Sequence, residues 1–488
     1  MSFEVKEKEI YTQEADKWVD QKKHAVKLVS AIGDLMYNKG VELVLFRNAL
    51  TEIGISEVLD LHNYASKIVQ KPIDIAETSE IAQILCKMEL APSKLDIGRL
   101  DWEWRKEGGK YDSKEAFLAD KLEAFIGHQS SSDIRPKDVV LYGFGRIGRL
   151  CARELISMTG KGQQLRLRAV VVRKLDASEL QKRADLFKMD SVHGPFRGVV
   201  EVNAEKMEMS VNGQIIHFIT ANDPSEVDYE AHGIQDALVI DNTGVFRDQA
   251  AMSKHLSARG ASKALLTAPG KEMPNIVYGV NHKEVDLEET NVWSAASCTT
   301  NAIVPVLKVV DENFGIVSGH IETVHAYTND QNLLDNMHKK HRRGRSAAIN
   351  MVITETGAAK AAVKVLPQLD GKLTANAVRV PTPNGSLAIM NLNLNKKTDL
   401  TEVQNIMKTA ALQGELVNQI RYSVEEELVS NDIIGNTCCS VYDSPATIVS
   451  KDGRSVVMYV WYDNEFGYTK QVLRLAKYIA KVRRLIYY

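Results

Sequence analysis

The first 126 residues carry apolar side chains at helical spacing. Between Trp18 and Met36 the apolar positions recur every three to four residues, and the same spacing returns between Phe117 and Ile126. The polar stretch 127–136, which ends in a proline, offers little to bury and is typical of a linker. We therefore expect an all-helical N-terminal extension with its linker over residues 1–136.

Beyond Pro136 the pattern changes to short apolar runs that alternate with helical spacing. The runs are residues 139–142, 167–172, 237–240 and 264–267. Strands that alternate with helices indicate a parallel, doubly wound sheet. This pattern predicts an α/β domain of Rossmann-like type over residues 137–297.

Longer β-rich runs follow at residues 321–327, 387–394 and 455–461. They predict a second, α+β domain over residues 298–463. The last helical pattern, residues 471–484, lies in a C-terminal segment, 464–488, which we expect to pack back on the Rossmann-like domain.

Composition narrows the class of protein. A chain of 488 residues with 44% apolar and 25% charged residues is typical of a soluble protein of two or three domains. A formal charge of −2 provides no overall field to attract nucleic acid or an anionic membrane. Five scattered cysteines, no apolar run of 18 residues and no apolar signal segment predict a cytoplasmic protein without membrane spans.

A glycine motif follows the first strand of the α/β domain. Gly143, Gly145 and Gly148 stand between the strand and a helix. In a dinucleotide site the first glycine makes the tight turn, the second lets the backbone approach a pyrophosphate, and the third allows close helix packing. The motif alone is a weak signal and also fits a structural turn, but its position after the first strand favours dinucleotide binding.

The end of the second strand bears on the choice of cofactor. An NAD site usually carries an acid there for the ribose 2′-hydroxyl, whereas this chain has Arg173 and Lys174. Two cations suit a 2′-phosphate, which makes NADP use a hypothesis. The alternative is that both cations are solvated and Asp176 binds the ribose.

Cys298 is the first candidate for chemistry. The small residues before it and the helical spacing from 302 to 314 after it place it at a strand-to-helix corner. The positive end of a helix dipole favours the thiolate, which is the nucleophilic form. The alternative is an ordinary buried cysteine that acts as a small apolar residue.

From about Val139 to its end the chain resembles the phosphorylating glyceraldehyde-3-phosphate dehydrogenases. The residues before position 137 lie outside the resemblance, and the total length is similar to that of a longer bacterial branch of the family. The resemblance rests on runs that occur in one order: GFGRIGR at Gly143, DSVHG at Asp190, NTGVF at Asn242, SCTTN at Ser297, TVHAYTNDQ at Thr323, RVPTPN at Arg379 and WYDNEFGY at Trp461.

The resemblance implies a covalent mechanism. Cys298 would attack the aldehyde of glyceraldehyde 3-phosphate to give a thiohemiacetal, and His325 would hold the thiolate as an ion pair and then accept the hydroxyl proton. Hydride transfer to NAD or NADP would leave a thioester, and inorganic phosphate would release 1,3-bisphosphoglycerate. The reaction is reversible, so it would serve glycolysis or gluconeogenesis.

The resemblance also implies two phosphate sites and a cofactor site. Asp330 is unusual beside an anion unless it orients an arginine, and Asn464 would fix the nicotinamide carboxamide. The substrate phosphate would be held by Thr328, Asp330 and Arg379, and the attacking phosphate by Ser297, Thr299, Thr356 and Arg343. The cofactor residues would be Gly143, Gly145, Arg146, Ile147, Gly148, Arg173, Thr243, Gly244, Thr267 and Asn464.

Other interpretations remain open. The same mechanism serves erythrose 4-phosphate, and a non-catalytic scaffold could act through the N-terminal extension. The basic run 338–345 resembles the family loop that crosses subunits and supplies Arg343, which disfavours nucleic acid as the main partner. We expect a homotetramer that acts on small molecules and holds no metal.

Overall fold

The computed structural model describes residues 3–127, 135–160 and 162–488, with side chains from residue 10 onward. Within these ranges the chain divides into two compact units. The first comprises the residues up to 135 together with 159–164 and 482–488, and the second comprises 136–158 and 165–481. Most of the expected linker, residues 128–134, lies outside the described residues.

In its described residues the first unit contains five α-helices and a small sheet. The helices are α1 (Phe3–Asp34), α2 (Ile55–Lys67), α3 (Ile75–Lys87), α4 (Ile97–Glu107) and α5 (Lys114–Lys121). The strands are β1 (Glu42–Leu45), β2 (Asn48–Ala49), β3 (Ser93–Asp96) and the last strand of the chain, β22 (Leu485–Tyr487). Their order is β2-β1-β3-β22, with β3 parallel to both of its neighbours.

The expectation of an all-helical extension is therefore wrong in this detail, although helices predominate. Strand β1 is a run of four residues whose last three, Leu43, Val44 and Leu45, are fully buried. An apolar run this short has no measurable period, so its pattern does not distinguish a strand from a turn of buried helix.

A buried carboxylate fixes the turn between β1 and β2. Phe46 and Arg47 both have positive φ, at 44° and 74°, as a two-residue hairpin turn requires. Asp96 accepts hydrogen bonds from the backbone amides of both residues, at 2.8 and 3.2 Å, and it also caps α4 through the amide of Arg99. One side chain thus joins the hairpin to the first helical turn of α4.

The second unit holds the remaining helices and strands. The helices are α6 (Arg146–Ser157), α7 (Ala177–Lys188), α8 (Gln249–Ser253), α9 (Cys298–Phe314), α10 (Ala358–Val365), α11 (Leu400–Leu412) and α12 (Phe466–Ile479). The strands of its first half are β4 (Lys137–Tyr142), β5 (Leu165–Val172), β6 (Met189–Asp190), β7 (Gly194–Pro195), β8 (Val200–Asn203), β9 (Glu208–Val211), β10 (Gln214–Thr220), β11 (Ala237–Asp241), β12 (Ala261–Leu266) and β13 (Val292–Ser294). The strands of its second half are β14 (Ile316–Ala326), β15 (Val352–Thr354), β16 (Leu373–Val380), β17 (Ser386–Leu394), β18 (Ile420–Ser423), β19 (Ser440–Asp443), β20 (Ile448–Val449) and β21 (Ser455–Tyr462).

The first large sheet has the order β13-β12-β11-β4-β5-β10-β9-β8. The six strands from β13 to β10 run parallel, and β9 and β8 extend the sheet as antiparallel strands. The chain leaves β4 toward β5 on one side and returns to β11 on the other. In a doubly wound sheet, ligands bind at the carboxyl ends of the strands where the order reverses in this way.

The second large sheet has the order β15-β16-β14-β17-β21-β19-β18, and β20 pairs with β21. The apolar side of α9 packs on this sheet, and Ile303, Val306 and Leu307 are fully buried there. The central pair β14 and β16 is parallel, and its register sets His325 opposite Arg379. Packing of α9 against this sheet therefore brings its first residue, Cys298, toward the same end as His325.

The C-terminal segment differs from its prediction. The helix α12 packs against α6 and α9, but it ends at Ile479, and Lys481 has a φ of 55°. The residues after it belong to the first unit, where Val482 is fully buried. A run of Leu485, Ile486 and Tyr487 has strand propensity, which explains why the helix does not continue.

None of the helices in the described part of the chain is long and apolar enough to cross a membrane.

Removal of residues 482–488 is expected to destabilise the first unit. The truncation exposes the site of Val482 and deprives β3 of a neighbouring strand, so we expect a loss of at least about 2 kcal/mol in the free energy of unfolding of this unit. Hydrogen exchange of the amides of residues 93–96 should quicken at least tenfold. The substitution Ile486→Thr is the control, because this side chain is 40% exposed and the change should cost less than about 0.5 kcal/mol. Unchanged exchange in the truncated chain would contradict the assignment of β22.

Candidate functional site

Cys298 is the first residue of α9, as its sequence context predicts. Strand β13 ends at Ser294, and Ala296 takes a positive φ of 55° in the corner that follows. Ser297 caps the helix, because its hydroxyl accepts a hydrogen bond from the amide of Thr300 at 3.0 Å. The half-buried sulfur therefore lies at the positive end of a helix of 17 residues.

The imidazole of His325 lies beside this sulfur. His325 is the penultimate residue of β14 and is buried, and its Nε2 lies 3.7 Å from the Sγ of Cys298. The structure thus brings together the two residues expected to carry the chemistry, which lie 27 positions apart in the chain.

The other ring nitrogen of His325 has two neighbours. The Nη1 of Arg379 lies 2.8 Å from Nδ1 and donates to the carbonyl oxygen of Ala326 at 2.7 Å, and that oxygen also lies 2.7 Å from Nδ1. A guanidinium only donates and a carbonyl oxygen only accepts, so the contact with Arg379 favours the ring proton on Nε2 and the contact with Ala326 favours it on Nδ1. If Arg379 turns away, Nδ1 can donate to Ala326 instead, and Nε2 then presents its lone pair to Cys298.

Burial controls the charges of this pair. Burial, and then the positive charge of Arg379, lower the pKa of His325 to about 3. Burial raises the pKa of Cys298 above its ordinary value, against the opposing effect of Arg379. The expected resting ion pair of thiolate and imidazolium is thus opposed by the structure, which favours a neutral imidazole. In this protein Arg379 and the α9 N-terminus are the groups that favour the thiolate.

The residues expected around the substrate phosphate form a chain of polar contacts. The Oγ1 of Thr328 donates to Asp330, and Asp330 accepts from the Nη1 of Arg343. Arg343 also donates through Nε to the hydroxyl of Thr354 at 3.0 Å, a contact that the sequence did not suggest. Asp330 therefore orients an arginine, as its residue type required. Arg343, which was assigned to the attacking phosphate, joins the set around Thr328.

Two arginines share this region with one carboxylate. Arg343 is among the charges that lower the pKa of Arg379, after burial, and both guanidiniums lower the pKa of His325. Buried like charges repel each other, and Asp330 is the acid that acts on both. The cluster is suited to an anion with several oxygens.

The remaining hydroxyls of the second expected phosphate site have partners of their own. Ser297 Oγ lies 2.7 Å from the hydroxyl of Thr300, and Thr299 Oγ1 lies 3.0 Å from the hydroxyl of Tyr462. Thr356 accepts from the amide of Ala358 at the start of α10. Ser297 and Thr299 thus flank Cys298, whereas Thr356 lies on a separate loop.

The glycine turn after β4 has the geometry of a dinucleotide cradle. Gly143 has a φ of 96°, and a Cβ on Gly148 would lie 2.4 Å from the carbonyl oxygen of Gly143. Gly145 precedes the first residue of α6 and has open space where a Cβ would be. The first and third glycines are therefore required by the turn and by helix packing, and the second leaves room for a ligand at the helix N-terminus.

The other expected cofactor residues lie at the carboxyl ends of strands beside this turn. Arg173 follows β5 and is exposed, Thr243 and Gly244 follow β11, and Thr267 follows β12. Because β4 pairs with β5 and with β11, these residues line the place where the strand order reverses. They fit a dinucleotide whose adenosine lies toward β5.

A carboxylate that the sequence analysis missed holds one side of this crevice. Asp241 accepts from both the amide and the hydroxyl of Thr243, each at 2.7 Å, and its second oxygen lies 2.9 Å from Nε2 of His255. Asp241 and His255 are both fully buried. An acid at the last position of a central strand is the signal that could have revealed this contact.

Arg146, an expected cofactor residue at the start of α6, has carboxylate partners for its side chain. Its guanidinium contacts both oxygens of Glu465 and the carboxylate of Asp190, so it joins the start of α6 to the start of α12. Burial opposes ionisation of Asp190, but the amides of His193 and Val192 and the charge of Arg146 lower its pKa to about 2. Ile147 follows Arg146 in the same turn and is half-buried.

Asn464 is connected to the catalytic strand through one hydroxyl. Ser386 Oγ donates to Asn464 Oδ1 at 2.8 Å and accepts from the amide of Ala326 at 3.1 Å. The amide nitrogen of Asn464 remains the group that can serve a ligand. Ala326 is next to His325, so the same contact fixes the expected nicotinamide contact relative to the imidazole.

In the ranges 3–127, 135–160 and 162–488 there is no cluster of three or more His, Cys, Asp or Glu side chains that could hold a metal ion.

Comparison with known proteins assigns both halves of the second unit. A family model described as the NAD binding domain of glyceraldehyde 3-phosphate dehydrogenase matches residues 137–249, and one described as its C-terminal domain matches residues 297–464. The first of these matches identifies NAD(P) as the cofactor.

Similar proteins match over different lengths. A glyceraldehyde-3-phosphate dehydrogenase-like protein of Pseudomonas aeruginosa is 46% identical over 458 residues, which is 93% of this chain and 98% of that protein. The glyceraldehyde-3-phosphate dehydrogenase of Priestia megaterium is 42% identical over 69% of this chain and 96% of its own length. Glyceraldehyde-3-phosphate dehydrogenase 1 of Bacillus subtilis is 42% identical over 70% and 98%.

The charge state of His325 can be measured directly. In a Cys298→Ser background, nuclear magnetic resonance of the imidazole should show a pKa far below 6.5, and Arg379→Gln should raise it because a cation that disfavours the imidazolium is gone. The substitution Arg379→Lys keeps the charge and should raise it less. The signal is assigned by its loss in His325→Gln. Titration of His325 near 6.5 in the Cys298→Ser background would contradict this account.

Proposed function

Because this chain belongs to the glyceraldehyde-3-phosphate dehydrogenase family of NAD(P)-dependent oxidoreductases, we propose that it converts glyceraldehyde 3-phosphate and inorganic phosphate to 1,3-bisphosphoglycerate, reversibly. The observation that carries the proposal is the 3.7 Å contact between Cys298 and His325, with the guanidinium of Arg379 against the same imidazole. A thiol beside a base fits covalent aldehyde oxidation, and the arginine fits a phosphorylated substrate.

Binding of the substrate prepares the nucleophile. The substrate phosphate attracts Arg379 and Arg343, whose mutual repulsion it relieves. When Arg379 leaves Nδ1 for the phosphate, the ring proton exchanges through solvent from Nε2 to Nδ1, which then donates to Ala326. The lone pair freed on Nε2 accepts the proton of the Cys298 thiol. Phosphate binding and thiol activation are thereby linked through one guanidinium.

Covalent chemistry then takes place on the sulfur. Cys298 Sγ bonds to the aldehyde carbon, and the oxyanion is stabilised by the amide at the N-terminus of α9 and by the proton now on Nε2. NAD(P), when bound, supplies the hydride acceptor. Gly143, Gly145 and Gly148 would hold its diphosphate, and Asn464 would orient its carboxamide. The thioester that remains on Cys298 is cleaved by inorganic phosphate, which Ser297, Thr299 and Thr356 would help to bind.

We propose that the protein is a homotetramer. Exposed apolar side chains on the segment after β14 support association with other copies. Leu333, Leu334, Met337, Ile349 and Met351 are all highly exposed. Several exposed apolar side chains in one segment are typical of a surface that another copy covers.

The reaction is tested by initial rates with the full-length chain. We expect turnover of glyceraldehyde 3-phosphate that depends on inorganic phosphate, and a loss of at least about 100-fold in kcat for His325→Gln, because proton transfer then lacks its base. Cys298→Ser should abolish turnover. A tenfold or greater preference for erythrose 4-phosphate, or rates independent of phosphate, would overturn the proposed substrate or the proposed acyl transfer.

We expect the protein to use NADP with a kcat/KM that lies within 100-fold of its kcat/KM for NAD. Asp176 caps α7 through the amide of Glu179 at 2.8 Å, whereas Arg173 and Lys174 are exposed beside the strand end. The variant Arg173→Asp should raise KM for NADP at least tenfold through loss of a cation and gain of a repulsive charge. KM for NAD should change less, and Arg166→Asp serves as a matched exposed control on the same strand. A 100-fold preference of the unsubstituted chain for NAD would show the expectation wrong.

A further inference from the structure

Helix α1 has two apolar faces, and only one of them is covered. Ala25, Leu28 and Ile32 are buried and face the rest of the first unit, where α1 packs on α2 and α3. Their spacing is that of one side of a helix. The preceding residues, 10–20, are exposed all around the helix.

The second face runs along the exposed part. It comprises Tyr11, Ala15, Trp18, Val19, Lys22 and Val26, and we call it the outer face. These positions follow the spacing i, i+4, i+7, i+8, i+11, i+15, which keeps them within about 100° of the helix circumference, about a third of a turn from the buried face. Tyr11 is 77% exposed, Trp18 46%, Val19 49% and Val26 52%. Lys22 is the one polar member, and its ammonium lies over the Trp18 ring at 5.6 Å.

Charge along α1 identifies the kind of partner. Residues 10–20 contain Glu14, Asp16 and Asp20 against Lys17 alone, whereas residues 21–27 contain Lys22, Lys23 and Lys27 without an acid. The helix thus has an acidic half followed by a basic half. A second α1 that runs in the opposite direction sets acid against base at both ends, whereas a parallel second copy sets like against like.

The apolar residues give the register of such a pair. With the two-fold axis between Trp18 and Val19, Tyr11 of one copy faces Val26 of the other, and the central residues face each other. The contact extends over about 22 Å of helix at 1.5 Å per residue. The outer face is therefore complementary to itself in both shape and charge.

We propose that α1 docks antiparallel on α1 of a second copy of this chain through the outer face. The contact lies in the N-terminal extension and does not depend on the reaction proposed above. A role for the extension in joining copies of the enzyme follows from it.

Cross-linking of full-length chains tests the pairing. Tyr11→Cys and Val26→Cys are prepared separately, with tags of different length, and are oxidised singly and as a mixture. We expect a disulfide between positions 11 and 26 only in the mixture, at least tenfold above the unsubstituted chain, identified by mass spectrometry of the linked peptides. A mixture of Gln13→Cys and Val26→Cys is the matched control, since Gln13 lies on the opposite side of the helix from the outer face.

Charge reversal provides a second readout. The first variant changes three lysines to Glu: Lys22, Lys23 and Lys27. It should reduce the yield of the 11–26 cross-link at least tenfold. A second variant that also changes Glu14, Asp16 and Asp20 to Lys should restore the yield. Circular dichroism and turnover in the same samples show that each variant is folded. A cross-link of each single variant with itself, which indicates parallel pairing, overturns the proposal, as does a yield no higher than in the Gln13 control.

Discussion

The contact between the guanidinium of Arg379 and the imidazole of His325 is the one on which the rest of the site depends. It exists because β14 and β16 pair in a register that sets the two residues side by side. Since an arginine only donates and the Ala326 carbonyl only accepts, these two neighbours of Nδ1 compete over which ring nitrogen carries the proton, and with it over what Cys298 faces. Burial, and then the same cation, lower the pKa of the imidazole, and the cation opposes the rise that burial causes in the pKa of Cys298. A parallel strand pair thus sets a cation against the imidazole that neighbours the nucleophile.

Sequence patterns predicted the elements of the site and its candidate residues, but they did not predict the contacts between those residues. The strand-to-helix corner at Cys298 and the turn at Gly143 follow from local spacing, and the structure has both. The link between Arg379 and His325 depends on strand register, which joins positions 54 apart and leaves no local signal. For the same reason the sequence did not indicate that the side chain of Arg146 contacts Glu465, 319 positions away.

The N-terminal extension shows a second limit of local patterns. Its helices are recognisable from period, but β1 and β3 are four residues each and have no period to read. The strand β22 comes from the other end of the chain, and nothing in residues 1–136 indicates that their sheet needs it. The Pseudomonas relative matches 93% of this chain, whereas the relatives of ordinary length match about 70%. The extension is therefore shared between two proteins and is not a peculiarity of one sequence.

Aspartates whose carboxylates accept hydrogen bonds from two or more backbone amides position loops in both units. Asp96 holds the β1–β2 turn, Asp190 holds the amides of residues 192 and 193, and Asp463 accepts from the amides of residues 435, 465 and 466. A carboxylate satisfies several amides at once, which a neutral acceptor cannot do as strongly. Burial of the carboxylate removes its hydration, and this raises the pKa of fully buried Asp96. Asp190 is less buried, and its hydrogen bonds lower its pKa to about 2. Because Asp463 precedes Asn464 and Asp241 contacts Thr243, carboxylates of this kind also position residues of the expected cofactor crevice.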